Sequence, residues 1–275
     1  YVEDKEVAGL KALGYVEFDV DKAKRQTAEI LGFKSPDLVG NTAPEIKPGK
    51  YLLASINGIF HFNGKSLEDV SEKYGLPRNM AYVDLWDDGD TIWLSSLNLG
   101  LARIVDGQAE VFNIQTGHLQ SNFFNGIYKD SRGHFWFCSN NGVGKYAGGQ
   151  FEWYSVEDGL SYPITLQVTE DFLGRMWIAT FQEGISIFDG KNFRNIKKED
   201  GLSSNNIYSI IADSKKQIWA GLANGVCRIR LDSAGEISEI NDYGYYDGFT
   251  GIENNGTAVF IDRDDNIWFG TISGA

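Results

Sequence analysis

The feature that most constrains this chain is a repeat of about forty residues, marked by tryptophan. Five tryptophans, spaced 43, 41, 42 and 49 residues apart, are Trp93, Trp136, Trp177, Trp219 and Trp268. An aspartate stands six residues before each of them, at Asp87, Asp130, Asp171, Asp213 and Asp262. A weaker copy has Leu52 in the tryptophan place, 41 residues before Trp93. A period in this range indicates a solenoid, a propeller or another repeat array.

Local sequence chemistry identifies the kind of repeat. In one copy, residues 207–212, 217–221, 226–230 and 236–240 are short β-rich runs, separated by turns that contain Asp213 and Gly225. Such runs, bounded by Gly, Asn and Asp, predict hairpins instead of helices. Four antiparallel strands in about forty-two residues form one blade of a β-propeller. We therefore predict an all-β propeller of four-stranded blades, with about six blades or as part of a larger ring.

The repeat divides the chain into two predicted units. Residues 37–275 carry the propeller repeats, whereas residues 1–36 do not follow the pattern. In the first unit, residues 3–13 and 21–31 have helix-like spacing, and each run is followed by a glycine, so we predict a short, partly helical segment. Two alternatives stay open for the ring. Either the amino-terminal stretch supplies strands that close six blades, or further blades belong to a longer chain.

Composition limits the partners that we expect. A net charge of −13 argues against nucleic acid and against an anionic membrane surface. No stretch approaches the ~20 apolar residues of a membrane span. Cys138 and Cys227 fall in different repeats, so we predict two buried thiols and no disulfide. The expected partner is a small polar ligand, such as an oligosaccharide, or another protein.

The candidate ligand-binding residues lie in loops that share one face of the predicted propeller. These loops join the second strand of a blade to the third, or one blade to the next, and a ring of amides with some aromatic groups suits a polar, uncharged ligand. The candidates are Asn98, Asn140, Asn141, Gln182, Glu183, Asn224, Arg78, Asn122, Tyr162 and Asn205. The alternative interpretation is that each Asn stabilises its own turn by bonding nearby backbone.

The sequence predicts no catalytic residue, cofactor or metal ion. The three histidines fall in separate places: His61 in a third strand, His118 in a loop between blades and His134 in a hairpin turn on the opposite face. The run that begins at Asp262 superficially resembles a calcium loop. It has Ile267 and Ser273 where such a loop needs Gly and Glu.

The repeat resembles the two-component regulator propeller repeat. Two stretches carry the likeness best: Gly201-Leu202, Asn205, Asp213 and Trp219, and the run from Asp262 through Trp268 to Thr271. The resemblance covers about residues 45–275. It implies a non-catalytic sensor propeller, periplasmic or extracellular, of a bacterial two-component signalling protein that detects carbohydrate fragments. A secreted or surface scaffold for protein contacts is the alternative, and a propeller lyase is a third.

Overall fold

A computed structural model describes residues 45–47, 50–63, 65–249, 251, 254–262 and 265–271. These residues form five four-stranded antiparallel sheets and a sixth sheet of two strands, called blades 1 to 6 in chain order. Strand order within each sheet follows the chain, which confirms the predicted four-stranded blade. The predicted helical segment at 1–36, and with it the question of ring closure, lies outside the described residues. Within the described part, no helix is long and apolar enough to cross a membrane.

The strand bounds follow the predicted period. Blade 1 contains β1 (Glu45–Lys47), β2 (Lys50–Ser55), β3 (Gly58–Phe62) and β4 (Leu67–Asp69). Blade 2 contains β5 (Tyr82–Asp87), β6 (Thr91–Ser96), β7 (Leu101–Val105) and β8 (Gln108–Phe112). Blade 3 contains β9 (Phe124–Lys129), β10 (Phe135–Ser139), β11 (Gly142–Ala147) and β12 (Gln150–Tyr154).

The remaining blades complete the chain. Blade 4 contains β13 (Thr165–Glu170), β14 (Met176–Thr180), β15 (Ile185–Phe188) and β16 (Phe193–Ile196). Blade 5 contains β17 (Ile207–Ala212), β18 (Gln217–Leu222), β19 (Gly225–Leu231) and β20 (Ile237–Tyr243), and blade 6 contains β21 (Asn254–Ile261) and β22 (Ile267–Thr271). Short 3-10 turns precede four of the blades, at Glu72–Tyr74, Val156–Asp158, Lys198–Asp200 and Tyr245–Asp247.

Packing between neighbouring blades buries the repeated tryptophans. All five residues of β14 are buried, as expected for a strand covered on both faces. Trp177 is fully buried in a cluster that includes Leu202 and Ile207 of the next blade. Leu52, in the weaker copy, is also fully buried against the next blade. The tryptophan position therefore serves inter-blade packing. Trp219 is only half-buried, and Trp268 is 45% exposed.

A hydrogen-bonded unit that we call the Asp–Trp clasp explains the constant spacing of six residues. In blades 3 to 6 the aspartate Oδ2 accepts the indole N–H, in the pairs Asp130–Trp136 (3.0 Å), Asp171–Trp177 (2.8 Å), Asp213–Trp219 (3.0 Å) and Asp262–Trp268 (2.8 Å). The aspartate Oδ1 accepts the backbone N–H four residues further on, at His134, Arg175, Gln217 and Asn266. One carboxylate thus fixes the first hairpin of each of these blades.

Blade 2 departs from this pattern because its first hairpin is one residue shorter. Trp86 pairs with Trp93 there, whereas Tyr128 pairs with Trp136 in blade 3. Asp87 Oδ1 instead accepts the N–H of Gly89 at 2.8 Å. Asp87 therefore keeps the six-residue spacing to Trp93, but it does not occupy the position in the turn that Asp130 occupies in blade 3.

The innermost strands carry bulges near their starts. In β5 the partners are Tyr82 with Ser96 and Asp84 with Ser95, which leaves one extra residue, and β13 and β17 show the same shift. In β21, Asn254 pairs with Thr271 and Val259 pairs with Phe269. The chain thus advances five residues along β21 and only two along β22, which leaves three extra residues on β21. We call residues 255–258 the β21 bulge. In the sequence, Phe249 lies 13 residues before Asp262, whereas the corresponding leucines of the other copies lie 11 residues before their aspartates, and the bulge accounts for these two extra residues.

Candidate functional site

The loops predicted to share one face do meet in the structure, and we call this face the top face. Backbone hydrogen bonds join loops between second and third strands to the linkers between blades. Leu97 N–H donates to the Ala81 carbonyl at 3.0 Å, and Phe181 N–H donates to the Ile164 carbonyl at 3.1 Å. Similar bonds occur in blades 1 and 3, so in blades 1 to 4 the two loop sets are joined into a rim.

Four predicted amides are bound within this rim. Asn122 Oδ1 accepts the Ile114 N–H (2.8 Å), and Asn205 Oδ1 accepts the Lys198 N–H (2.8 Å). Asn140 Oδ1 accepts the Ser121 hydroxyl (2.6 Å), and Asn141 Nδ2 donates to the Gln120 carbonyl (3.2 Å). These bonds use donor or acceptor groups that a ligand would otherwise meet. Asn122 and Asn205 bond backbone of their own linkers, as the turn-stabilising interpretation expects, whereas Asn140 and Asn141 join their loop to the preceding linker.

Two predicted charges are paired with neighbours. Arg78 lies 3.5 Å from Asp69 and 3.0 Å from Glu72, and Glu183 forms an ion pair with Lys197. The contact with Glu183 raises the pKa of Lys197, which stays protonated at neutral pH. Neither predicted charge is therefore unpaired at the rim.

Aromatic groups line the rim beside the amides. The Tyr162 hydroxyl donates to Gln182 Oε1 at 2.9 Å, which joins two predicted candidates. Phe181 and Tyr208 make an edge contact with ring centroids 6.2 Å apart, and Phe123 is 38% exposed. The sequence prediction omitted these last three residues. Their positions next to loop residues were a usable signal, because aromatic rings at loop ends commonly provide ligand-stacking surfaces.

Three amides near the top face have side chains without a hydrogen bond among the described residues. Asn98 and Asn224 are exposed at the second-to-third strand loops of blades 2 and 5, and Asn255 is half-buried in the β21 bulge. Asn98 and Asn224 were predicted, whereas Asn255 was not. An amide offers one acceptor and two donors, so these three side chains are available to a hydroxyl-bearing ligand.

Beneath the rim, buried polar groups brace neighbouring blades. Asp84 is 2% exposed, and its two oxygens accept the N–H groups of Leu85 and Ile127, each at 2.7 Å. Burial raises the pKa of Asp84 to about 8, despite the two N–H donors. Gln167 Oε1 accepts the Ile210 N–H at 2.9 Å in the same arrangement. These side chains satisfy backbone groups beside the bulges, so their role here is structural.

The histidines and cysteines occupy separate structural positions. His61 contacts the Tyr74 hydroxyl at 3.1 Å, His118 packs on Phe112, and His134 contacts Asp130 in a clasp. Both cysteines are buried and free, as predicted, and burial raises the pKa of each thiol. Across the described ranges, no group of three or more His, Cys, Asp or Glu side chains is placed to hold a metal ion.

Comparisons with known proteins support the repeat assignment. The two component regulator propeller family matches residues 118–141 and 201–224, which confirms the resemblance. No curated protein matches the sequence. The extracellular domain of a putative hybrid two component system from B. thetaiotaomicron is 20% identical, with a TM-score of 0.65. That similarity covers 88% of this chain and 39% of the other, so this chain spans about two fifths of that domain.

Two other solved structures share the fold. Virginiamycin B lyase from Staphylococcus aureus is 16% identical over 89% of this chain and 88% of its own, with a TM-score of 0.61. PorZ, a surface component of the type-IX secretion system of Porphyromonas gingivalis, is 15% identical over 82% of this chain and 38% of its own, with a TM-score of 0.58. At these identities the likeness establishes the propeller fold.

Proposed function

We propose that this chain is a non-catalytic recognition propeller, the extracytoplasmic sensor part of a two-component signalling protein, and that it binds an oligosaccharide-like ligand on its top face. The observation that carries the proposal is the combination of exposed amides, at Asn98 and Asn224, with aromatic rings, at Tyr162, Phe181 and Tyr208, on one rim. Amides bond hydroxyl groups, and aromatic faces cover the apolar faces of sugar rings.

The comparisons support the signalling context and the location. The family match is to a two component regulator propeller, and one similar structure is an extracellular domain of such a system. We place the chain outside the cytoplasm on that basis. A lyase activity has less support, because the three histidines have local partners in three different blades or linkers.

The alternative is a surface scaffold for a partner protein. Tyr245 and Tyr246 favour it, since they are 74% and 99% exposed on the turn that precedes blade 6. The corresponding places hold Val156 and Glu157 before blade 4, and Lys198 and Glu199 before blade 5. Tyrosine is enriched in protein interfaces, where one end of the ring is buried and the hydroxyl stays wet.

A thermal-shift screen with neutral oligosaccharides tests the proposal. A ligand at a hundred times its Kd stabilises the folded chain by about 2.7 kcal/mol. We expect this shift with one class of sugar, and we expect its loss in the double variant Phe181→Ala, Asn224→Ala. The matched control is Phe172→Ala, Asn192→Ala, which removes the same two side-chain types from turns on the opposite face. A folded chain that shifts with no sugar would favour the scaffold.

A further inference from the structure

The β21 bulge reaches across the centre of the propeller. Besides its neighbour β17, strand β21 contacts β9 and β13. Strand β9 belongs to blade 3, three blades before blade 6, so this contact spans the central channel. At its end, Thr257 Cγ2 lies 3.5 Å from the place that a β-carbon on Gly126 would occupy. The innermost strands of blades 2, 4 and 5, with one extra residue each, have no equivalent extension.

The height of this crossing is fixed by the residue that precedes the bulge. Asn254 is buried, and its Nδ2 donates to the carbonyls of Leu222 and Gly225, each at 2.7 Å. Both carbonyls flank the loop between β18 and β19, which lies on the top face. The β21 bulge therefore crosses the channel directly below the rim that carries the candidate ligand groups.

The bulge is held in a costly conformation. Thr257 has φ 60, and its Oγ1 donates to the carbonyl of Gly256 at 2.7 Å. A β-branched residue rarely adopts the left-handed region, because its side chain is sterically strained there. Such strain persists only where surrounding structure enforces it, and it concentrates at functional sites.

The bulge offers a polar side chain and open space. The Asn255 side chain is half-buried and makes no hydrogen bond among the described residues. Gly256 is exposed, and a β-carbon there would meet no atom within 4 Å. An available amide beside free space, in a bulge held at the height of the top-face loops, provides elements of a shallow binding site.

We propose that the β21 bulge closes the central channel and forms the floor of the ligand site, with the Asn255 amide directed at a hydroxyl-bearing ligand that enters only from the top face. The ligand-contact part rests on the proposed function. The closure of the channel rests on the contact between blades 6 and 3 and stands apart from any ligand. The site thus binds only the part of an oligosaccharide that lies above the bulge, and an oligosaccharide cannot pass through the central channel.

The test introduces a thiol on the floor by Gly256→Cys. Both native thiols are buried, so biotin-maleimide will report on the introduced one. The matched control, Lys191→Cys, carries an exposed thiol on the opposite face. Probes are maltohexaose, cellohexaose, xylohexaose and laminarihexaose. A hexasaccharide that stabilises the unmodified chain will slow labelling at position 256 by at least about tenfold and leave position 191 unchanged, which corresponds to 1.4 kcal/mol of protection.

Three results decide the inference. A sugar that stabilises the chain without protecting position 256 overturns the floor. A panel without any binder overturns the proposed function, and with it the ligand contact of Asn255. Channel closure is then judged by NMR on the ligand-free chain, where a nuclear Overhauser effect between the Thr257 methyl group and the Gly126 α-protons is expected. Its absence overturns closure.

Discussion

Removing one carboxylate from an Asp–Trp clasp should destabilise the chain by an amount that depends on the burial of the indole. In Asp171→Ala, four hydrogen bonds are lost, from Leu173 N–H, Arg175 N–H, Arg175 Nε and Trp177 Nε1. Trp177 is fully buried, so water cannot replace the carboxylate at its N–H. Leaving a buried donor unsatisfied costs about 1–3 kcal/mol, and bonds to a charged group contribute about 1.5–3 kcal/mol each.

Water can reach the turn itself, so only part of that sum is lost. We expect a decrease of about 3–5 kcal/mol in the free energy of unfolding. The matched variant Asp262→Ala breaks the same clasp at Trp268, which is 45% exposed, and there we expect about 1 kcal/mol. Asp171→Asn keeps one acceptor oxygen, so its loss of unfolding free energy should lie between those of Asp171→Ala and Asp262→Ala.

Urea unfolding followed by tryptophan fluorescence measures these differences, with the m-value as a check that the unfolding transition is unchanged. Equal losses in Asp171→Ala and Asp262→Ala would refute the reasoning, because burial of the indole would then have no effect. A loss below about 1 kcal/mol in Asp171→Ala would show that the turn forms without its clasp.

Three further outcomes are expected. Because the folded pKa of Asp84 is raised from 3.8 to about 8, its contribution to stability is complete below pH 4 and falls as pH rises to 8; urea titrations should show up to about 1.4 kcal/mol per pH unit, absent in Asp84→Asn, and parallel pH profiles would contradict this. Gly184→Ala should cost at least twice as much as Gly190→Ala in thermal unfolding, because both have positive φ but only Gly184 would press a β-carbon on the Ile196 carbonyl. A thiol reagent should titrate no cysteine in the folded chain and both in denaturant, and rapid reaction of either Cys138 or Cys227 in the folded chain would count against their burial.

Much of the fold is predictable from the sequence because the same weak strand signals recur in every copy of the repeat. Any one short run such as 217–221 is a weak strand signal, but four such runs in each copy of a forty-residue repeat leave a single architecture. The shorter hairpin of blade 2 escaped prediction, since Asp87 keeps the six-residue spacing while its turn changes. Spacing along a chain does not report which residues pair across strands.

The candidate site was predictable only in part. Topology placed the loops on one face correctly. It could not tell that Asn122 and Asn205 would be occupied by backbone N–H groups while Asn98 and Asn224 stayed open, because that depends on side-chain direction. The two extra residues before Asp262 were visible in the sequence. The sequence did not show where these residues extend, since an insertion can extend away from the central channel as readily as into it.

The clasp has a consequence for how such a chain can change over time. In blades 3 to 6 the bonds that shape the first hairpin begin and end within about seven residues, all at the end of the blade remote from the rim. Replacing an exposed rim side chain, such as Asn224, therefore leaves the clasp of its own blade intact. Duplicating a blade also duplicates its clasp, and exposed side chains of the new rim loop can then change without breaking that clasp. The division between the two ends makes the propeller a scaffold on which recognition can diversify one blade at a time.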